Sequence, residues 1–316
     1  GVVGAIEAVE AMRAAGFRPA VPLEVVVWRC EEAALFGQGR LGSLYHVGKL
    51  TLEATRRLER PEVPIGRWLD EAARLPQRAV GRDSLAYLEL HIEQGGRLDA
   101  SGATIGVVTA IPGATRWRIT LTGRADHSGA TPMGMRRDAL CAAAELILAV
   151  EEAGMKERHH ETVATATAIR ALPNAWNVVS GWTELLTDVR GTENESIDRA
   201  LEHIRLSAAE LAARRQVVIS FEEATEDRPV RLDGSVASLI EEVAVGLGLP
   251  TVRMPSGAGH DAQTVAPYTP TGMIFVPSVR GISHAPEEHT KPEHIEAGIQ
   301  VLAGVLAALS ERRSPS

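Results

Sequence analysis

Three segments of the chain place histidines and carboxylates where apolar runs end. In Leu88-Glu89-Leu90-His91-Ile92-Glu93, apolar and polar residues alternate, the pattern of a strand with one buried side. That run stops at Gln94-Gly95-Gly96. Glu31 and Glu32 follow the apolar run Leu23–Trp28, and His284 follows Met273–Val276 within PSVRGISHAPEE. Adjacent acids in a loop are ordinarily solvated, and a lone His is ordinarily a hydrogen-bonded structural residue. In open α/β sheets, however, ligands sit beyond the carboxyl ends of strands. Glu, His and His delivered from three such ends form a donor set suited to a divalent transition metal.

Two further groups of residues lie elsewhere. GRADHSGATPMGMRRDA (123–139) is a turn bearing His127, with Thr131-Pro132 as the expected start of a helix; its bland alternative is a capping loop with an incidental His. LPNAWNVVSG (172–181) and LLTDVRG (185–191) add Asn177 and Arg190. An Arg in a strand is usually a rim charge, but beside an Asn it suits a forked grip on a carboxylate. In MPSGAGHDA (254–262), Gly257 and Gly259 permit close backbone approach to an anionic group. The competing reading is a tight turn before a helix capped by Asp261.

The elements that must position these residues follow from periodicity. Residues 1–15 read as a helix capped by Gly16, Leu23–Trp28 as a buried strand, and 51–80 as helical and charged despite prolines at 61, 64 and 76. Strands are expected at Leu85–Ile92 and Thr104–Ile111. Beyond Pro112 the texture changes: alternation around Trp117, Ile119 and Leu121, a helix over Met135–Ala153, strands at Thr162–Ile169 and Val178–Val189, a helix over Ser196–Arg215, and a strand at Val217–Glu222. That order is a split βαβ unit with two helices on one face of an antiparallel sheet. A helix over 235–247, the strand Met273–Val276 and a closing helix Glu293–Leu309 complete the reading. The unit at 113–225 is thus expected as an insertion in an α/β domain made of 1–112 and 226–316.

Bulk properties bound the function. The 316 residues suffice for two domains, and 45% hydrophobic with 23% charged residues is ordinary globular composition. Net charge is −8 with no basic stripe, which argues against nucleic acid. No stretch is long and apolar enough to span a membrane. Cys30 and Cys141 show no ligand spacing, and free thiols suit a reducing, cytoplasmic setting. The first residues carry Glu7 and Glu10 on a helical pattern and do not read as a secretion signal.

EEAALFGQGRLGS, LELHIEQG, GRADHSGATPMGMRRDA, PNAWNVV, SGAGHDA and ISHAPEE occur in this order. Together they resemble the amidase/hydantoinase-type branch of the dinuclear metallopeptidase-like hydrolases, which contains N-carbamoyl-L-amino-acid hydrolases, β-ureidopropionases and allantoate amidohydrolases. The resemblance covers nearly the whole chain. It implies a zinc-peptidase-like α/β catalytic domain with an inserted ferredoxin-like α+β lid and dimerisation domain. It implies hydrolysis of the carbamoyl C–N bond of N-carbamoyl-L-amino acids or similar linear ureido acids, with allantoate as the alternative substrate. Glu31 resembles the general base, Glu32 and His284 ligands of one metal, and His91 a ligand of the other. His127 resembles the oxyanion donor, reaching across a homodimer into the neighbour's cleft. Asn177 and Arg190 resemble the carboxylate clamp; Gln94, Gly259 and His260 belong to the same substrate pocket. The cofactors implied are two divalent ions of Zn, Mn, Co or Ni.

The family pattern also has an earlier His-x-Asp and a metal-bridging Asp-Gly, which this sequence lacks. The expectation is therefore a catalytic domain incomplete at its N-terminus, with the first-site ligands largely missing, weak metal binding and little turnover. Ala33 stands where the family usually has Gly. A reading of another class is a noncatalytic homologue that binds a carboxylate ligand and dimerises. A peptidase of the same superfamily is disfavoured by His91, a position that tends to carry a carboxylate in the peptidases.

Overall fold

The computed structural model describes residues 1–58 and 84–311. The chain divides into two compact units, 1–111 with 230–316 and 112–229.

In the first unit, strands β1 (Tyr87–Ile92) and β2 (Ile105–Val108) join two later strands, β11 (Thr251–Met254) and β12 (Thr271–Val276), in the order β1-β12-β2-β11. The β1/β12 and β2/β11 pairs are parallel and β12/β2 is antiparallel. Strand alternation sends side chains to two separate cores. Leu90, Ile105, Val107, Ile274 and Val276 pack with helices α1 (Val2–Ala14), α7 (Gly234–Gly246) and α9 (Pro292–Glu311). Val108, Met254, Met273 and Phe275 face the other way, against the short helices α4 (Arg97–Ser101) and α8 (Asp261–Val265). Two more short helices, α2 (Leu41–His46) and α3 (Leu52–Arg56), precede β1. A two-residue pairing of β3 (Ala110–Ile111) with β10 (Val230–Arg231) lies where the chain leaves and re-enters this unit.

The second unit carries β4 (Gly113–Thr122), α5 (Ala139–Glu157), β6 (Val163–Leu172), β8 (Trp182–Gly191), α6 (Asn194–Arg215) and β9 (Val218–Asp227). Its antiparallel sheet runs β6-β8-β4-β9, the split βαβ order. Trp117, Ile119, Leu121, Leu185 and Val189 point to one face and bury Leu146, Val150, Ile197 and Ile204 of the two helices. A small hairpin pairs β5 (Asp126–His127) with β7 (Val178–Val179).

Several sequence expectations need correction. Leu23–Trp28 is neither a strand nor buried: it has no ladder partner among the described residues, and Val27 is 57% exposed. β-branched residues favour a strand only when a neighbouring strand accepts their backbone groups and packs their side chains. The strand expected at Thr104–Ile111 breaks at Thr109 into β2 and β3, and the run Val178–Val189 breaks at Ser180-Gly181 into β7 and β8. Thr131-Pro132 does not start the long helix; a single 3₁₀ turn, Met133–Met135, follows, and α5 begins at Ala139. Its cap is Asp138, which accepts from Leu140 N and Cys141 N, because a carboxylate there satisfies two otherwise orphaned donors. Asp261 is the first residue of α8 rather than its cap, a position held by His260. Of the helix expected over 51–80, α3 covers Leu52–Arg56, and the part from 59 on lies outside the described residues. No helix among the described residues is long and apolar enough to cross a membrane.

Candidate active site

Strand β1 sorts its residues by face. Leu88, Leu90 and Ile92 join the helix-covered core. His91 turns to the opposite face, where its ring lies 6.5 Å from that of Phe275 and 4.6 Å from that of His260. Beyond the end of β1 the chain enters a cleft of ≈ 600 Å³ lined by Glu32, His91, Gln94, His284 and Glu288. Glu32, His91, Gln94 and His284, expected from separate loops, therefore meet at one place.

Each loop is held in a conformation its sequence explains. The Glu31-Glu32 loop is closed by Arg40 N donating to Glu31 O, Leu41 N to Cys30 O, and Gly42 N to Arg29 O. A side chain on Gly39 would meet Glu31 O at 2.6 Å, and one on Gly42 would meet Arg29 N at 2.8 Å. Glycine at both positions is the condition for this closure. His284 sits at φ 57°, a left-handed conformation that costs energy for a residue with a Cβ. Glu288 supports it by accepting from His284 N and from Ser283 Oγ. Gln94 is also left-handed, at φ 59°, with its N–H donating to Ser278 Oγ. Strain of this kind gathers where a side chain must be aimed.

The donors converge. His284 Nε2 lies 3.3 Å from Glu32 Oε1 and 3.3 Å from Gln94 Nε2. Both contacts use the one ring nitrogen: a proton on Nε2 donates to the Glu32 carboxylate, and a lone pair there accepts from the Gln94 amide. Two donor atoms bound to one tetrahedral ion at about 2.0–2.1 Å stand about 3.4 Å apart, so the spacing of Glu32 Oε1 and His284 Nε2 suits a divalent cation, which would replace the Gln94 contact. Burial pushes the Glu31 carboxyl up to about 7, with Asp261 and Glu32 adding to the rise and Arg40 and His284 opposing it. A carboxylate poised near neutrality is suited to proton transfer. Burial lowers the His91 imidazole, which favours the neutral form, the one that ligates metal.

His260 and Gly259 do not line this cleft. His260 is 1% exposed and packs beneath His91, edge to face with it.

In the second unit, His127 Nδ1 accepts from the backbone N–H groups of Gly129 and Ala130. That fixes the tautomer: the neutral ring carries its proton on Nε2, which is an exposed donor. Asn177 sits across the same hairpin, its carbonyl accepting from Ser128 N. Arg190 lies in the main sheet and forms a forked pair with Asp188, Nε to Oδ1 at 2.7 Å and Nη2 to Oδ2 at 3.0 Å. Among the described residues no hydrogen bond joins Asn177 to Arg190.

The family model for peptidase family M20/M25/M40 matches residues 1–308. The chain belongs to this family. An uncharacterized hydrolase of Haemophilus influenzae is 40% identical over 299 residues, covering 92% of this chain and 72% of its own. The N-carbamoyl-L-amino acid amidohydrolase of Geobacillus stearothermophilus is 36% identical over 307 residues, 96% of this chain and 75% of the relative. Among solved structures, an amidase of the hydantoinase/carbamoylase family from Burkholderia multivorans superposes with a TM-score of 0.91 at 34% identity, over 99% of this chain and 77% of that one.

This M20 family member also uses residues to which sequence reasoning gave no role. Glu93, 5% exposed, accepts from Arg97 N and Leu98 N at 2.8 Å each and so caps α4. The signal was present as a Glu ahead of Arg97-Leu98 after two glycines. Glu89 Oε2 accepts from Tyr87 Oη and Ala262 N, tying β1 to the start of α8. Its burial, reinforced by Asp261, pushes its carboxyl up to about 7.

Proposed function

We propose that this M20 family protein is a metal-dependent amidohydrolase that cleaves the carbamoyl C–N bond of N-carbamoyl-L-amino acids or similar linear ureido acids. The observation that carries this reading is the meeting of Glu32, His91 and His284 on one cleft, with Glu31 beside them at a carboxyl value near 7.

Glu32 and His284 would hold one divalent ion and His91 would serve the other. Two such ions, when bound, polarise a carbonyl oxygen and acidify water. Glu31 accepts the proton released as water attacks the carbamoyl carbon, then delivers it to the leaving nitrogen. Gln94, left-handed and anchored through Ser278, faces the substrate from the cleft wall. His127 offers Nε2–H to the oxygen that becomes negative in the tetrahedral intermediate. A single preorganised donor of this type contributes about 3 kcal/mol of barrier lowering. Asp188 orients Arg190 so that its remaining N–H groups, with Asn177, grip the substrate carboxylate. The protein acts as a homodimer in which the inserted unit presents His127 to the cleft of the second copy. The products are the free amino acid, ammonia and carbon dioxide.

The test is ammonia release by the metal-loaded full-length protein from a panel of N-carbamoyl amino acids, 3-ureidopropionate and allantoate, with and without a chelator. Turnover of at least one ureido acid that the chelator abolishes is the expected result. A panel left untouched by protein whose metal content has been verified overturns the reading.

A further inference from the structure

The sheet of the second unit has one face under its two helices and one face free of them. Residues 115, 117, 119 and 121 of β4 and 183, 185, 187 and 189 of β8 are buried on the helix side. Their neighbours Arg116, Arg118, Glu184, Asp188 and Arg190 therefore turn to the other face. Register sets Arg116 directly across from Asp188, and Arg190 follows Asp188 on the same face of β8. Asp188 thus stands between two guanidinium groups. Arg190 donates from Nε to Oδ1 at 2.7 Å and from Nη2 to Oδ2 at 3.0 Å. Arg116 donates from Nε to Oδ2 at 2.8 Å.

Arg190 has five N–H donors, and the fork on Asp188 uses two of them. Charge, not donor supply, is the difficulty for a grip on a second carboxylate. A carboxylate spanning Nε and Nη2 cancels the guanidinium charge at close range, and a neutral pair attracts an anion weakly. Burial opposes the charge on Asp188, but hydrogen bonds from Arg190 and Arg116 outweigh it and hold the carboxyl ionised. Arg116 changes the balance, because two cations against one anion leave the group positive. Arg118, next along the same face of β4, adds nothing to it: its guanidinium lies 3.5 Å from Glu184 and 3.8 Å from Glu222. Arg116 also meets Oδ2, the oxygen that Arg190 Nη2 uses, so it holds the plane of the carboxylate against which Arg190 is set.

We propose that Arg116 is a positioning residue for the substrate-carboxylate grip: sharing Asp188 with Arg190, it fixes the orientation of Arg190 and leaves the three-residue group the positive charge that holds an anionic ligand. Arg116 acts through Asp188 and touches no substrate atom. The inference deepens the proposed function and rests on its assignment of Arg190 to the substrate carboxylate. It also sharpens the ligand class, since the group favours a ureido compound with a free carboxylate over the same compound as its primary amide.

Arg116→Gln removes the charge, Arg116→Lys restores it, and Arg118→Gln removes a charge from the same face away from Asp188. The Arg116 side chain is half-exposed, so these substitutions leave the core untouched. KM and kcat of the metal-loaded full-length protein are measured on the best ureido acid of the panel and on its primary amide. Arg116→Gln is expected to raise KM for the acid at least about fivefold, the size of one partly screened charge, with kcat within about twofold. Arg116→Lys and Arg118→Gln should stay within about twofold of the unaltered protein, and KM for the amide should be the same in all four proteins. An unchanged KM in Arg116→Gln, an equal rise for acid and amide, or a lysine variant as weak as the glutamine one overturns the proposal. Equilibrium dialysis of 3-ureidopropionate against the same proteins reads the grip without turnover. A protein that hydrolyses no ureido acid yet binds 3-ureidopropionate with this dependence on Arg116 would sink the hydrolase reading alone. Turnover with a KM indifferent to Arg116 would sink this inference alone, and neither turnover nor binding would sink both.

Discussion

Replacing Glu93 with Gln isolates what holds the start of α4, just after Gln94. The carboxylate is 5% exposed and receives two backbone N–H groups, from Arg97 on Oε1 and from Leu98 on Oε2, at 2.8 Å each. Glutamine keeps the size but has one acceptor. Its NH₂ group faces a backbone N–H, donor against donor, and one of the two amides loses its partner. A hydrogen bond to a charged group contributes about 1.5–3 kcal/mol, and Leu98, fully buried beside Phe275 in the same core, has no water to turn to. The expected loss corresponds to about a 10- to 150-fold fall in hydrogen-exchange protection at whichever of the Arg97 and Leu98 amides faces the NH₂ group, since every 1.36 kcal/mol is tenfold. The assay is residue-resolved hydrogen exchange on the folded variant, with Ile119 of the second unit as an internal control expected to stay unchanged. Protection at both Arg97 and Leu98 within threefold of the unaltered protein would refute the capping argument.

The second unit should lose stability in acid through Asp188. Burial opposes the charge of this carboxylate, but hydrogen bonds from Arg190 and Arg116 outweigh it and hold it below the usual range. A depressed folded value means the contribution is present above the unfolded value near 4 and is lost as pH falls through the folded one. Urea midpoints followed between pH 5 and pH 2 should fall more steeply for the unaltered protein than for Asp188→Asn. Asp233 caps α7 by accepting from Ser235 N at 2.9 Å and Val236 N at 3.0 Å. Asp233→Ala should cost the first unit about 1 kcal/mol, read from equilibrium denaturation. In the core, Phe275 is fully buried against the His91 and His260 rings. Phe275→Ala should destabilise by about 3–5 kcal/mol, visible as a large drop in the unfolding midpoint.

What the sequence disclosed follows from what pattern reports. Strict alternation in Leu88–Ile92 named both faces of β1, because a strand's period of two is unambiguous when one side is buried. The βαββαβ order of the second unit was legible from its long amphipathic helices and alternating strands. Leu23–Trp28 misled because a β-branched run reports a preference for pairing and says nothing of whether a partner is present. β11 escaped notice because Thr251-Val252-Arg253-Met254 is four residues long and carries a charge. At the site, Glu31, Glu32, His91 and His284 stood at the ends of apolar runs, and Glu32, His91 and His284 share one cleft. The roles of Glu89 and Glu288 depend on which groups donate to them, and only coordinates reveal that. His127 was found as a residue, but its donor tautomer rests on two backbone amides that no motif records.

The central claim is that Glu31 moves the proton in a hydrolysis carried out beside Glu32, His91 and His284. The most direct measurement is kcat of Glu31→Gln on the best ureido substrate, at equal metal content to the unaltered protein. The account predicts a loss of about 10²- to 10⁴-fold with metal retained, since the substitution removes the base and leaves the ligands. A Glu31→Gln protein that keeps both its metal and its turnover would contradict it.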